Sequence, residues 1–297
     1  MHSYIRQSHK IPVHDVELDG WLYLPQTETL SPAILMSHGF AAVKELYIDK
    51  FAETFAEAGY VVVLYDHRNF GKSGGQVRGE IIPQQQIEDM REVLTWLTQR
   101  PEVDASRIGV WGSSFSGGHA ITMGALDRRV GCVVSQVPTI SGYQNLLRRA
   151  GVNIHSVFQA FQADRAARYQ GKEPRYRKVI AQNGEPGIFS SDGAEDFFSA
   201  AWTLAEGWDN RVTLRSSEKA SEYEPGQLID RISPTPLLML VAEKDSVTPT
   251  DLAIAAYSRA LEPKKLVMLP DAHFDPYVKH AAQAKREALG WFNQHLM

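Results

Sequence analysis

The run GVWGSSFSGGHA, residues 109–120, crowds three serines between glycines directly after an apolar stretch. A serine hydroxyl attacks a carbonyl only when a base takes its proton and a fixed turn aims it. In a strand-turn-helix elbow of the form G-x-S-x-G, close backbone leaves little room for side chains two positions before and after the nucleophile. Gly112 stands two before Ser114, which makes Ser114 the candidate nucleophile. The position two after it is Ser116, a departure from glycine, although Gly117 and Gly118 follow at once. Ser113 and Ser116 are the rival hydroxyls. Choosing Ser116 would put Ser114 where the tighter glycine belongs.

Such a serine needs an imidazole and a carboxylate later in the chain, at the ends of later strands. VAEKDSVTP puts Asp245 just past one apolar run, and LPDAHFDPY puts His273 just past the last. The carboxylate would orient the imidazole and stabilise its charged form, while the imidazole would carry the serine proton to the leaving group. Asp251 and Glu243 are rival acids, and His280 and His295, on the terminal helical pattern, are rival bases. Asp271 reads as a turn former. Backbone N–H groups must also receive the charge that develops on the carbonyl oxygen. Phe115, next after Ser114, would give one donor, and Phe40 the other, with Ala41 as its alternative. His38 reads as a structural residue shaping that turn.

The elements that must hold these residues alternate along the chain. Residues 33–40, 60–66, 107–112, 130–137, 236–245 and 265–273 are short apolar runs of buried-strand character. Residues 48–59 and 85–100 between them repeat their apolar positions every three or four residues, as amphipathic helices do. Alternating strands and helices predict an α/β fold with a mostly parallel sheet covered on both faces. HKIPVHDVELDGWLYLP predicts an edge hairpin around Asp19-Gly20. From Thr139 to Ile229 the rhythm fails and helical patterns replace strands. The chain is therefore divided into a core of residues 1–138 and 230–297 and a helical cap of residues 139–229. The cap's aromatics include Phe158, Phe161, Phe189, Phe197, Phe198, Trp202 and Trp208. Most are expected to pack the cap onto the body, a minority to line a pocket.

Several function classes fall away. At 297 residues and net charge −4, with basic residues scattered, the chain shows no global footprint for nucleic acid or a membrane surface. Its start lacks the apolar core of a secretory leader, and no run reaches the ~18 apolar residues of a membrane span. A cytoplasmic location is expected. With Cys132 as its single cysteine, the chain has no intramolecular disulfide or cysteine metal cluster to form. Gly71-Lys72-Ser73 evokes a phosphate-binding loop, but Asp66 stands where that motif needs glycine. The ten histidines show no metal-ligand spacing. Neither metal nor cofactor is expected.

MSHGF, YDHRNFGKSGG, WGSSFSGG, EKDSVTP and DAHFDP, in this order, resemble the α/β-hydrolase superfamily over nearly the whole chain. The elbow variant, with SHGFAAVKE upstream, is similar to the branch of X-prolyl-peptidase-like and dienelactone-hydrolase-like esterases and polyketide-pathway hydrolases or acyltransferases. Dienelactone hydrolases proper use cysteine where this chain has Ser114. The resemblance implies the fold, the cap, and Ser114, Asp245 and His273 as a catalytic triad. It also implies a structural turn after a strand at YDHRNFGKSGG, with Asp66 and Arg68 paired nearby. The expected function is a serine hydrolase acting on an ester or thioester through an acyl-enzyme. The alternatives are an acyltransferase with a non-water acceptor, a peptidase or amidase, and a noncatalytic binding module. Arg148, Arg149, Arg165, Arg168, Lys172, Arg175, Arg177 and Lys178 face only Asp164 and Glu173 between residues 143 and 180. They could attract a coenzyme A thioester or an acidic acyl-carrier protein, or simply be neutralised by the acidic half of the cap. Homodimerisation is an expectation from its frequency, not from any residue.

Overall fold

In the computed structural model, which describes residues 2–297, the alternating runs form one eight-stranded sheet. Strands β1 (Tyr4–Val13) and β2 (Val16–Pro25) lead into β3 (Ser31–Ser37), helix α1 (Asp49–Glu57), β4 (Val61–Tyr65), α2 (Pro83–Thr98), β5 (Val103–Ser113), α3 (Phe115–Leu126) and β6 (Val130–Gln136). The sheet resumes at β9 (Leu237–Ala242), then α9 (Thr250–Arg259), β10 (Lys264–Leu269) and α10 (Ala281–Leu296). The strand order is β1-β2-β4-β3-β5-β6-β9-β10. From β4 to β10 every pairing is parallel, whereas β2 runs antiparallel to both of its neighbours. This is the mostly parallel α/β sheet that the alternating pattern predicts, in the arrangement that the resemblance to α/β-hydrolases implies.

The inner strands are apolar throughout because both faces are covered: every residue of β3, β4 and β9 is buried. Helices α1 and α10 pack together on one face, where Phe55 meets Phe292 edge-to-face at 5.5 Å between ring centres. Helices α2 and α3 pack together on the other. Helix α2 opens with Pro83 in its first turn, where the missing N–H costs nothing, and turns Ile87, Met90, Val93, Leu94 and Leu97 inward. Parallel strands put all their carboxyl ends along one edge of the sheet. Loops carrying chemistry gather there.

Two local expectations fail. The edge hairpin turns at His14-Asp15, with His14 at φ 41°, and Asp19-Gly20 lie inside β2, opposite Lys10 and His9. Asp66 and Arg68 do not pair with each other. Asp66 binds Lys44 at 2.6 Å, and Arg68 binds Asp89 at 2.5 Å and Asp15 at 3.2 Å.

Between β6 and β9 lie helices α4 (Gly142–Ala150), α5 (Ile154–Tyr169), α6 (Ala194–Ser199), α7 (Ala201–Leu204) and α8 (Leu214–Ser221). They are joined by a strand pair that the sequence pattern did not suggest, β7 (Tyr176–Lys178) antiparallel to β8 (Arg211–Thr213). Ser141 caps α4 by accepting the Gln144 N–H, and Thr213 caps α8 through the Ser216 N–H. The aromatic residues of this segment divide: Phe161, Phe197, Phe198 and Trp208 are buried, whereas Trp202 is half exposed. No described helix is long and apolar enough to cross a membrane.

Candidate active site

Ser114 sits between the end of β5 and the first turn of α3 with φ 58° and ψ −117°, a conformation a non-glycine residue adopts only when its surroundings impose it. The Ser114 N–H donates to the Gln136 carbonyl at 2.9 Å, and its own carbonyl accepts the N–H groups of Gly117 and Thr139. A Cβ on Gly112 would overlap the Ser116 carbonyl, so only glycine permits the turn there. One on Gly39 would lie 3.0 Å from the Ser114 Cβ, which is how closely the loop after β3 approaches.

Accessibility separates the three serines. Ser113 and Ser116 are fully buried and committed elsewhere, while Ser114 remains partly open. The Ser113 hydroxyl meets the Tyr277 hydroxyl at 2.5 Å. Ser114 Oγ lies 3.0 Å from His273 Nε2, and His273 Nδ1 lies 2.7 Å from Asp245 Oδ2. Nδ1–H donating to the carboxylate leaves Nε2 free to accept the serine proton. The N–H groups of Val247 and Thr248 donate to Asp245 Oδ1, fixing the carboxylate. The Thr248 hydroxyl lies 2.9 Å from both Asp245 Oδ2 and the Val137 carbonyl, and 3.2 Å from His273 Nδ1. No sequence signal marked Thr248.

The rivals are engaged elsewhere. Asp251 pairs with Arg148 at 2.6 Å, and Glu243 points to solvent. His280 contacts Asp271, and His295 packs on Trp291. Asp271 does form a turn, at φ 65°, and its carboxylate pairs with Lys279 and is held below the usual carboxylate range, to about 2, by Lys279 and His280.

Two backbone N–H groups near Ser114 belong to different elements. Phe115 opens α3, where its N–H has no acceptor within the helix. The Phe40 N–H finds no acceptor among the described residues, and the two phenyl rings meet edge-to-face at 5.5 Å. The loop carrying Phe40 is clamped at several points. Ala41 adopts φ 60° and accepts the Trp208 indole N–H at 2.9 Å. Lys44 is buried among Asp66, Asp19 and Glu45, at 2.6, 2.9 and 3.0 Å. Burial opposes its charge, but the carboxylates outweigh burial and raise its pKa.

A closed circuit accounts for serine at position 116. The Ser116 hydroxyl donates to the His38 carbonyl at 2.5 Å and accepts from His67 Nε2 at 3.0 Å. The His67 N–H donates to His38 Nε2 at 3.0 Å, and His38 Nδ1–H donates to the Gly39 carbonyl at 2.9 Å. The place taken by glycine in the simpler elbow thus carries a tie from α3 to the loop after β3. His38 is structural, as expected, and His67 is the partner that no motif flagged. Burial keeps His38 and His67 neutral, and it lowers His119, bound to Gln86 and Tyr223, to about 3.

A cavity of about 330 Å³ opens beside Ser114, lined on the sheet side by Phe40, Phe115 and Thr139 and on the other by α4, α5 and the segment around Ile188. A smaller space of about 20 Å³ lies on the other flank, between His38, His273, Phe197, Phe274 and Tyr277. The described residues contain no cluster of His, Cys, Asp and Glu able to hold a metal ion.

Residues 15–275 match the model of the family described as X-Pro dipeptidyl-peptidase (S15 family). Thiohydrolase aneE of Aspergillus aculeatus is 33% identical over 88% of this chain and 83% of its own length. Polyketide transferase grgF of a Penicillium species is 29% identical over 96% of this chain and 98% of its own. The crystal structure of α/β hydrolase GrgF from Penicillium superposes with a TM-score of 0.84 at 28% identity, covering 98% of this chain and 99% of the other.

Proposed function

The chain belongs to the X-Pro dipeptidyl-peptidase (S15) family and is an enzyme of the α/β-hydrolase type, and from that membership we propose a serine hydrolase that cleaves a carboxylic thioester or ester. The observation that carries the reading is the unbroken line Ser114 Oγ, His273 and Asp245, with contacts of 3.0 and 2.7 Å. Ser114 Oγ attacks the carbonyl carbon while His273 Nε2 takes its proton, and Asp245 stabilises the imidazolium that results. The N–H groups of Phe40 and Phe115 receive the negative oxygen, each such donor contributing about 2.7–4 kcal/mol in the transition state. Collapse breaks the bond to the leaving group, which departs with the proton from His273. Water, deprotonated by the same nitrogen, then attacks the acyl-enzyme, and Ser114 regains its proton as the acid leaves.

A thiol leaving group is favoured over an amine by the thiohydrolase relative, and residues 139–229 act as the cap that shapes the acyl pocket. No cofactor takes part in these steps. A cytoplasmic location is part of the proposal; separately, among the described residues no helix is long and apolar enough to cross a membrane. The relative named a polyketide transferase supports one second reading, transfer of the same acyl group to an alcohol or amine. Fluorophosphonate treatment followed by peptide mass spectrometry tests the first. A single adduct on Ser114, absent in His273→Ala, is expected; an adduct elsewhere overturns the assignment. Product analysis of thioester turnover with added alcohols then separates free acid from transferred acyl group.

A further inference from the structure

The basic residues of the 143–180 segment do not behave as one patch. Arg148 is neutralised by Asp251, Arg165 by Glu218, and Arg168 by Glu80 and Asp164. Arg149 on α4 and Arg177 on β7 have no acidic partner and no hydrogen-bonded side-chain partner among the described residues. Both line the cavity that holds Ser114. The Arg149 guanidinium lies over the Phe189 ring, 5.6 Å from its centre, a stacking that leaves its N–H edge free. Partial desolvation lowers both pKa values, and for Arg149 the charge of Arg177 adds to it, while both side chains keep contact with solvent. Asn145, one turn before Arg149 on α4, lines that space too, with an amide oxygen that has no partner. Turned over, the amide would present its NH₂ there instead.

Two like charges from separate elements, both reaching solvent at the wall of one cavity and without a counter-ion, leave the place of an anion open to a ligand. The position of His273 says which part of the substrate this is. The leaving group must take its proton from His273, which lines the small aromatic space and not the large cavity. The large cavity therefore receives the acyl part. We propose that the acyl group of the substrate carries a carboxylate, held by Arg149 and Arg177 with Asn145 beside them. The assignment of the acyl part rests on Ser114 and His273 acting as described above. Guanidinium suits the task because its fork binds both carboxylate oxygens and it stays charged when partly enclosed.

The test compares two N-acetylcysteamine thioesters of one length, the mono-thioester of adipic acid and its terminal methyl ester. Wild-type enzyme is expected to prefer the free carboxylate by about 10- to 100-fold in kcat/KM. Arg149→Gln combined with Arg177→Gln should bring the ratio near one, while Arg148→Gln, which opens only the pair with Asp251, leaves it in place. Equal rates on the two thioesters in wild type, or a ratio that survives the double substitution, overturn the proposal. Replacing N-acetylcysteamine with coenzyme A forms the second arm: an arginine effect that follows the phosphates of the thiol and not the acyl carboxylate overturns the acyl placement. Calorimetric binding of the two thioesters to Ser114→Ala protein reads the site without turnover. Selective binding of the acid, lost in the double variant, supports the proposal, and indifference to the carboxylate sinks it. Failure of the hydrolase reading shows separately, as absent turnover and absent fluorophosphonate labelling of Ser114.

Discussion

The sheet side of the cavity and the wall opposite it are built on opposite rules. Around Ser114 the charges and hydroxyls are matched: Lys44 with Asp66, Arg68 with Asp89, Ser116 between His38 and His67. Across the cavity, Arg149 and Arg177 stand unmatched, while Arg148, next to Arg149 but outside the cavity, meets its carboxylate in solvent. Matching holds atoms to a fraction of an ångström, which acyl chemistry requires of its nucleophile and donors. Unmatched groups leave interactions to be completed by what binds. Under the proposed function, the contrast assigns the reaction and the choice of substrate to different elements, which separate substitutions would perturb separately.

Substitutions on the sheet side should therefore alter turnover of every substrate alike, and the largest effect comes first. Ser114→Ala should lower kcat by about 10⁴-fold or more on all acyl substrates, measured by thioester hydrolysis; loss confined to acidic substrates would erase the division. Asp245→Asn should follow, at up to about 10⁴-fold, because the amide favours the wrong imidazole tautomer. Circular dichroism would confirm an intact fold in both.

Acid should strike the sheet side next. His38, His67 and His119 are neutral in the fold with pKa values below the unfolded value of ~6.5, so the unfolded chain binds more protons as pH falls. Their contribution is complete above pH ~6.5 and is lost below it, at up to about 1.4 kcal/mol per pH unit for each histidine. Urea midpoints between pH 7.5 and 4.5 should fall steeply, and less steeply in His119→Gln. A flat profile would mean that these rings are not held neutral.

Ser116→Ala should cost about 1–3 kcal/mol in urea unfolding by stranding the His38 carbonyl and His67 Nε2–H, with a fall in kcat as the Phe40 loop loosens. An unchanged kcat would separate that tie from catalysis. The smallest effect, about 1 kcal/mol, is expected of Trp208→Phe, which removes one hydrogen bond to Ala41 and keeps the aromatic packing.

How much of this was legible in the sequence depended on distance along the chain. Strands β3, β4 and β9 announced themselves because a doubly covered strand must be apolar at every position. Ser114, Asp245 and His273 could be proposed because each follows the end of a strand, one, three and four residues past β5, β9 and β10. The hairpin turn was misplaced because Asp-Gly is a strong local turn signal, and nothing local reveals that Asp19 is taken by Lys10 and Lys44. The Asp66 and Arg68 pairing failed for a related reason. Their partners, Lys44 and Asp89, lie 22 and 21 residues away. The strands β7 and β8, three residues each, are too short to show a period. Thr248 and His67 were silent because a hydroxyl or imidazole acquires its role only from what the fold brings beside it.

The indole of Trp208 belongs to the segment between β6 and β9, yet its N–H is spent on the carbonyl of Ala41, in the loop that presents the Phe40 amide. Any motion that lifts that segment to admit substrate strips the loop of this bond, and any substrate that draws the segment down restores it. If the segment moves when substrate enters, entry and readiness are linked in the thermodynamic sense: a fraction of the binding free energy of a well-fitting acyl chain would be returned as order in the loop, and a poor fit would leave the loop less ordered for the reaction that follows.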